Sequence, residues 1–164
     1  MRTIFNFLGP LTNPAGAQRQ LLGVSDRHYQ ETIAEALVGL GSVRAMVVSA
    51  EDGLDEISIS SRTRVIEVAD GRTEERYVEP TDFGFAEAEL EAVAGGSPEE
   101  NAAASQAVLA GKPGPRRDLV LLNAGAAIYV GGASESLFDG VAKAREAVDS
   151  GAAQSLLERL IATG

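Results

Sequence analysis

The chain has 164 residues, 45% of them apolar and 23% charged, which is the length of one domain and the composition of a globular one. Fourteen basic against 24 acidic residues leave a net charge of −10, and such a surface repels nucleic-acid backbones and anionic lipid. With no cysteine, disulfides, zinc–thiolate sites and thiol nucleophiles are excluded, which fits a cytoplasmic location.

No apolar run approaches the roughly 18 residues of a membrane span. The opening stretch, Met1 to Pro10, has neither the apolar length nor the cleavage site of a signal peptide. Gly9-Pro10 and Asn13-Pro14 predict a loop over residues 1–14, anchored by Ile4, Phe5, Phe7 and Leu8. Leu21–Val24 reads as a short strand. Ser25 then stands as N-cap of a helix near 26–40, with Tyr29, Ile33, Leu37 and Leu40 on one stripe. Val43–Ser49 is short and rich in β-branched residues, a buried strand. Strand, helix and strand at these lengths give the βαβ rhythm of a parallel sheet.

Thr63–Ala69 and Arg72–Val78 flank Asp70-Gly71, the pattern of a hairpin. Ala86–Ala94 is a short amphipathic stretch ending at Gly95-Gly96. Ser97-Pro98-Glu99-Glu100 is a capping box that starts a helix to about Ala110. Leu119–Val130 carries both strand and helix signals, and its length favours helix. Ser134 is expected to cap a helix bearing Leu137, Val141, Ala144 and Val148; Gly151 separates it from a last helix with Leu156, Leu157, Leu160 and Ile161.

Sequence patterns for serine hydrolases, zinc proteases and P-loops are missing, and no G-x-G-x-x-G follows a strand. Gly95-Gly96 resembles a phosphate loop, but Glu99 and Glu100 behind it would repel a phosphate and satisfy the helix end themselves. His28, the one histidine, falls in the first turn of its predicted helix, where a positive ring is disfavoured; it reads as a surface residue. Asp52-Gly53-Leu54-Asp55-Glu56 is the most suggestive cluster. Neighbouring carboxylates just past a strand's carboxyl end can converge on a magnesium ion, which takes one or two of them and fills its shell with water and phosphate oxygens. The residues alone favour a solvated acidic turn, given 24 acidic residues in the chain. The opening loop, with its prolines, asparagines and large apolar side chains, either lines an apolar pocket or plugs a core edge.

Arg2-Thr3-Ile4-Phe5-Asn6, with Leu8-Gly9-Pro10-Leu11-Thr12-Asn13-Pro14-Ala15, resembles a motif of the anthranilate phosphoribosyltransferase family, and so does Asp52-Gly53-Leu54-Asp55-Glu56-Ile57-Ser58. Asp82-Phe83-Gly84, Asn101-Ala102 with Leu109 and Gly111, and Leu121-Leu122-Asn123-Ala124 agree in order and spacing. The resemblance covers essentially the whole chain. It implies transfer of 5-phosphoribose from phosphoribosyl pyrophosphate to anthranilate with release of pyrophosphate, a step of tryptophan biosynthesis. It assigns Asp55 and Glu56 to Mg2+ and Pro10 to the anthranilate pocket, and implies no covalent protein nucleophile. It implies an α/β fold: a mostly parallel sheet with an added hairpin and helices on both faces, here residues 1–164 as the C-terminal part of a phosphoribosyltransferase α/β domain.

The family's glycine-rich phosphate loop, its H-G-N-R segment and its helical small domain have no counterpart here. The expected partner is therefore the missing N-terminal half, with a homodimer for the full-length enzyme and neither nucleic acid nor membrane as partner. Met1 is expected to be a misassigned or artificial start, or that of a truncated gene product, and the chain to be inactive alone and prone to self-association. Phe7 and Gly125 depart from the family's usual aliphatic residue and alanine. Two other readings remain: a non-catalytic nucleic-acid-binding protein of the transferase-like fold, against which the net charge speaks, and a related nucleoside phosphorylase.

Overall fold

The computed structural model describes Gly9 and residues 11–163; the expected loop and the Pro10 assignment fall largely outside them. Within them, Asn13 makes the turn its sequence promises. Its Oδ1 accepts from the Ala15 N–H at 2.9 Å and its carbonyl from Gly16 at 3.0 Å.

β1 (Arg19–Gly23) and β2 (Arg44–Ala50) pair in parallel, Leu21 opposite Met46 and Gly23 opposite Val48, with α1 (Gln30–Gly39) between them in sequence. β3 (Thr63–Ala69) and β4 (Arg72–Val78) form the hairpin. Asp70 and Gly71 both take positive φ, 51° and 70°, as the tight two-residue turn requires. β3 also lies antiparallel to β2, Val47 opposite Ile66.

The order is therefore β1-β2-β3-β4. The α/β class and the hairpin are as expected, but the sheet is mixed rather than mostly parallel: one of three pairings is parallel. A parallel return needs a long crossover, usually helical. Residues 51–62 contain no helix, so β3 comes back alongside β2 in the opposite direction.

Alternation along β2 sends its side chains to two cores. Ala45 and Val47 pack with Ile33, Ala34 and Leu37 of α1. Met46 and Val48 face Leu121, Leu122, Ala126 and Val130 of α3 (Pro115–Gly131). Helices thus cover both faces, and β2, buried on both, carries the unbroken apolar run Ala45–Val48. α2 (Pro98–Leu109) precedes α3, and α4 (Leu137–Asp149) and α5 (Ala152–Thr163) follow it. α3 and α4 meet backbone to backbone: a Cβ on Gly125 would lie 2.6 Å from the Val141 nitrogen, and one on Gly140 only 2.2 Å from the Gly125 carbonyl oxygen.

Two caps differ from expectation. Asp26, not Ser25, makes the side-chain cap before α1: it accepts from the His28 N–H at 3.2 Å and caps a short 3-10 turn over Arg27–Tyr29 that leads into the helix. Ser136, not Ser134, caps α4, accepting from Asp139 at 3.1 Å; Ser134 is buried and donates to the Ser136 carbonyl. Over 86–94 only a 3-10 turn, Leu90–Val93, forms. The capping box is complete: Ser97 Oγ accepts from the Glu100 N–H at 3.2 Å, and Glu100 Oε2 from the Ser97 N–H at 2.7 Å.

Candidate metal-binding loop

Past the end of β2 the chain turns on an Asp-Gly pair, a sequence made for bending. Asp52 Oδ1 accepts from the Leu54 N–H at 2.9 Å, Gly53 takes φ 91°, and the Leu54 carbonyl returns to the Ala50 N–H at 3.1 Å. Asp52 Oδ2 accepts from Ser58 Oγ at 2.5 Å. That serine is buried, accepts from the Ser60 N–H at 2.8 Å, and donates its own N–H to Thr63 Oγ1 at 3.0 Å. Asp52 is therefore consumed in folding the loop.

Glu51 is consumed as well. It pairs with Arg62 at 2.8 Å and Arg27 at 3.5 Å, and both guanidinium groups lie over the Tyr77 ring.

Asp55 and Glu56 are different. Both are exposed, and among the described residues neither carboxylate accepts a hydrogen bond or faces a cation within ion-pair distance. Partial burial, with the adjacent Asp55 carboxylate second, pushes the Glu56 carboxyl above its ordinary range. Two hard oxygen donors with an uncompensated charge suit magnesium. No cluster of three or more metal-ligating side chains exists among the described residues, and magnesium does not ask for one when phosphate oxygens complete its shell. The residues present fit the group.

The backbone beneath the pair is gripped from two sides. Gly23, the last residue of β1, has no room for a side chain: a Cβ there would fall 1.5 Å from the Asp55 carbonyl oxygen. On the other side Asn123 of α3 accepts from the Ile57 N–H at 2.9 Å and donates to the Ile57 carbonyl at 2.9 Å. The acid pair thus stands at the carboxyl end of β1, the edge where α/β sheets bind ligands.

Sequence reading singled out Asp55 and Glu56 but passed over Gly23 and gave Asn123 no role. The signal for Asn123 was present, a lone amide in the apolar run Leu121-Leu122-Asn123-Ala124. His28 is exposed and lies edge-on to Tyr29 with ring centroids 5.5 Å apart. Gly95-Gly96 is no phosphate loop: Asn101 bonds the Gly96 N–H at 2.8 Å and its carbonyl at 3.1 Å, beside the capping box.

Residues 1–154 match the family described as "Glycosyl transferase family, a/b domain". The chain is 50% identical over 161 residues to the anthranilate phosphoribosyltransferase of Desulfatibacillum aliphaticivorans, covering 98% of this chain and 48% of that protein. The crystal structure of anthranilate phosphoribosyltransferase from Thermus thermophilus superposes with a TM-score of 0.90 at 47% identity, covering 99% of this chain and 48% of that one. The Saccharomyces cerevisiae enzyme in complex with PRPP and Mg superposes with a TM-score of 0.85 at 31% identity, covering 96% and 46%. The chain spans about half the length of the relatives it matches.

Proposed function

This chain belongs to the glycosyl transferase family through its a/b domain, and on that footing we propose that it is the magnesium-binding, C-terminal part of an anthranilate phosphoribosyltransferase. The reaction moves 5-phosphoribose from phosphoribosyl pyrophosphate to the amino group of anthranilate and releases pyrophosphate. The observation that carries the reading is the Asp55–Glu56 pair, held at the carboxyl end of β1 without a counter-ion among the described residues. It is supported by the relatives' names and by the magnesium and PRPP named in the yeast structure.

Breaking the bond between sugar and pyrophosphate leaves negative charge on the leaving group while positive charge grows on the sugar carbon. Magnesium, when bound, supplies neutralisation of the leaving group and a template for it. Asp55 and Glu56 hold that ion; Asp52 and Ser58 shape the loop that presents them. No side chain of this chain is asked to form a covalent intermediate, so the rest of the rate comes from positioning. Pro10 borders the anthranilate pocket in the same reading. In this reading the phosphate loop comes from the enzyme's N-terminal half, the full-length enzyme is a homodimer, and the setting is cytoplasmic.

The test combines the purified chain with that N-terminal half and follows anthranilate fluorescence. We expect turnover from the mixture and none from either part. Replacing Asp55→Asn and Glu56→Gln together lowers kcat/KM at least 100-fold, about 2.7 kcal/mol. Undiminished magnesium-dependent turnover in that variant overturns the reading.

A further inference from the structure

We propose that Asn123 is the positioning residue for the Asp55–Glu56 pair, setting the direction of both carboxylates from α3. The inference rests on the metal reading above and names the part of the fold that carries it out.

Asn123 makes three hydrogen bonds, one to its own helix at the Leu119 carbonyl, 3.0 Å, and two to Ile57. The Ile57 pair matches what a neighbouring strand offers, one donor and one acceptor to a single residue. The side-chain amide thereby stands in for a strand where the loop has none. Ile57 follows Glu56 directly, and its side chain is buried in the core shared with Leu121 and Leu122. From the opposite side Gly23 abuts the Asp55 carbonyl. The two peptide units between these grips carry the acid side chains outward, so the grips determine where the carboxylates point. Asparagine is a poor residue for a helix interior, and its place in α3 is explained by the loop it holds.

Hydrogen exchange at residues 55–58 and Mn2+ binding with inorganic pyrophosphate, followed by electron paramagnetic resonance, read this directly. Mn2+ shares magnesium's preference for oxygen ligands. Asn123→Ala is expected to speed exchange at Ile57 and weaken Mn2+ binding about ten-fold, the usual effect of losing a group that orients a ligand. Asn123→Asp keeps the acceptor for the Ile57 N–H but turns the donor group into an oxygen facing the Ile57 and Leu119 carbonyls; it should weaken Mn2+ binding at least as much as Asn123→Ala, and it serves if the alanine variant does not fold. Wild-type Mn2+ affinity in both variants, with faster exchange, would make Asn123 a stabilising lock only and overturn the proposal. Asp55→Asn is the control for the metal reading. If it leaves Mn2+ binding unchanged, that reading fails and the proposal falls with it; if it weakens binding while both Asn123 variants bind as wild type, the proposal alone falls.

Discussion

Glu56 holds its proton to a higher pH in the folded chain than in the unfolded one, because partial burial and then the Asp55 carboxylate disfavour its charge. For a carboxyl shifted upward the linkage runs against the folded state. Below the unfolded value, about 4.3, the group is protonated in both states and costs nothing. As pH rises through the folded value the penalty grows, and above it the penalty is complete. Glu56→Gln should therefore melt at a higher temperature than wild type at pH 7 and at the same temperature near pH 3, both without metal. Adding Mn2+ and pyrophosphate at pH 7 should raise the wild-type melting point and leave the variant's behind. Equal melting points at pH 7 without metal would show that the pair is not strained. At this scale the sequence displayed the acids but not their division of labour. Asp52, Asp55 and Glu56 look alike in a string, and only the fold shows Asp52 bonded to Leu54 and Ser58.

Elements defined by local chemistry were legible: the Asp70-Gly71 hairpin and the Ser97 capping box rest on contacts a few residues apart. The caps of the turn leading into α1 and of α4 were misplaced by one and two residues because Ser25 and Asp26, or Ser134 and Ser136, are equivalent in type. Where the preceding segment releases the chain decides between them. The direction of β3 was illegible for a stronger reason, since it depends on a partner strand distant in sequence. Gly125 falls in the same class. Sequence marks it only as a departure from alanine, whereas the structure sets Val141 backbone atoms 2.6 and 2.7 Å from any Cβ there. Gly125→Ala gains about 1 kcal/mol of helix propensity. It must also separate two helices whose touching atoms are backbone and cannot rotate aside, a strain of about 3 kcal/mol. Strain wins by about 2 kcal/mol. Urea unfolding should show a lower midpoint at an unchanged slope; a raised midpoint would mean that α4 yields freely.

The two edges of the sheet are unlike, and the difference governs the whole molecule. β4 presents Arg72, Glu74, Glu75 and Arg76, mostly exposed, and such charges blunt an edge. β1, the other edge, has half-buried Leu21 and Leu22 and no strand on its outer side among the described residues. The stripe expected to seat α5 is largely open to solvent, with Leu156 58%, Leu160 67% and Ile161 69% exposed, and Phe138 of α4 is 59% exposed. Apolar surface of this kind draws copies together, while the net charge of −10 holds them apart. The balance turns on salt, because screening shortens the reach of the repulsion to about 8 Å at physiological ionic strength and about 3 Å at 1 M, yet leaves the apolar attraction intact. Sedimentation should therefore show association of the isolated chain that grows with sodium chloride. Leu160→Glu, which places a charge within the α5 stripe, should reduce it at every salt concentration. A monomer throughout the series would mean that these faces are too small or too scattered to act together; association that weakens with salt would mean that charge, not apolar surface, joins the copies.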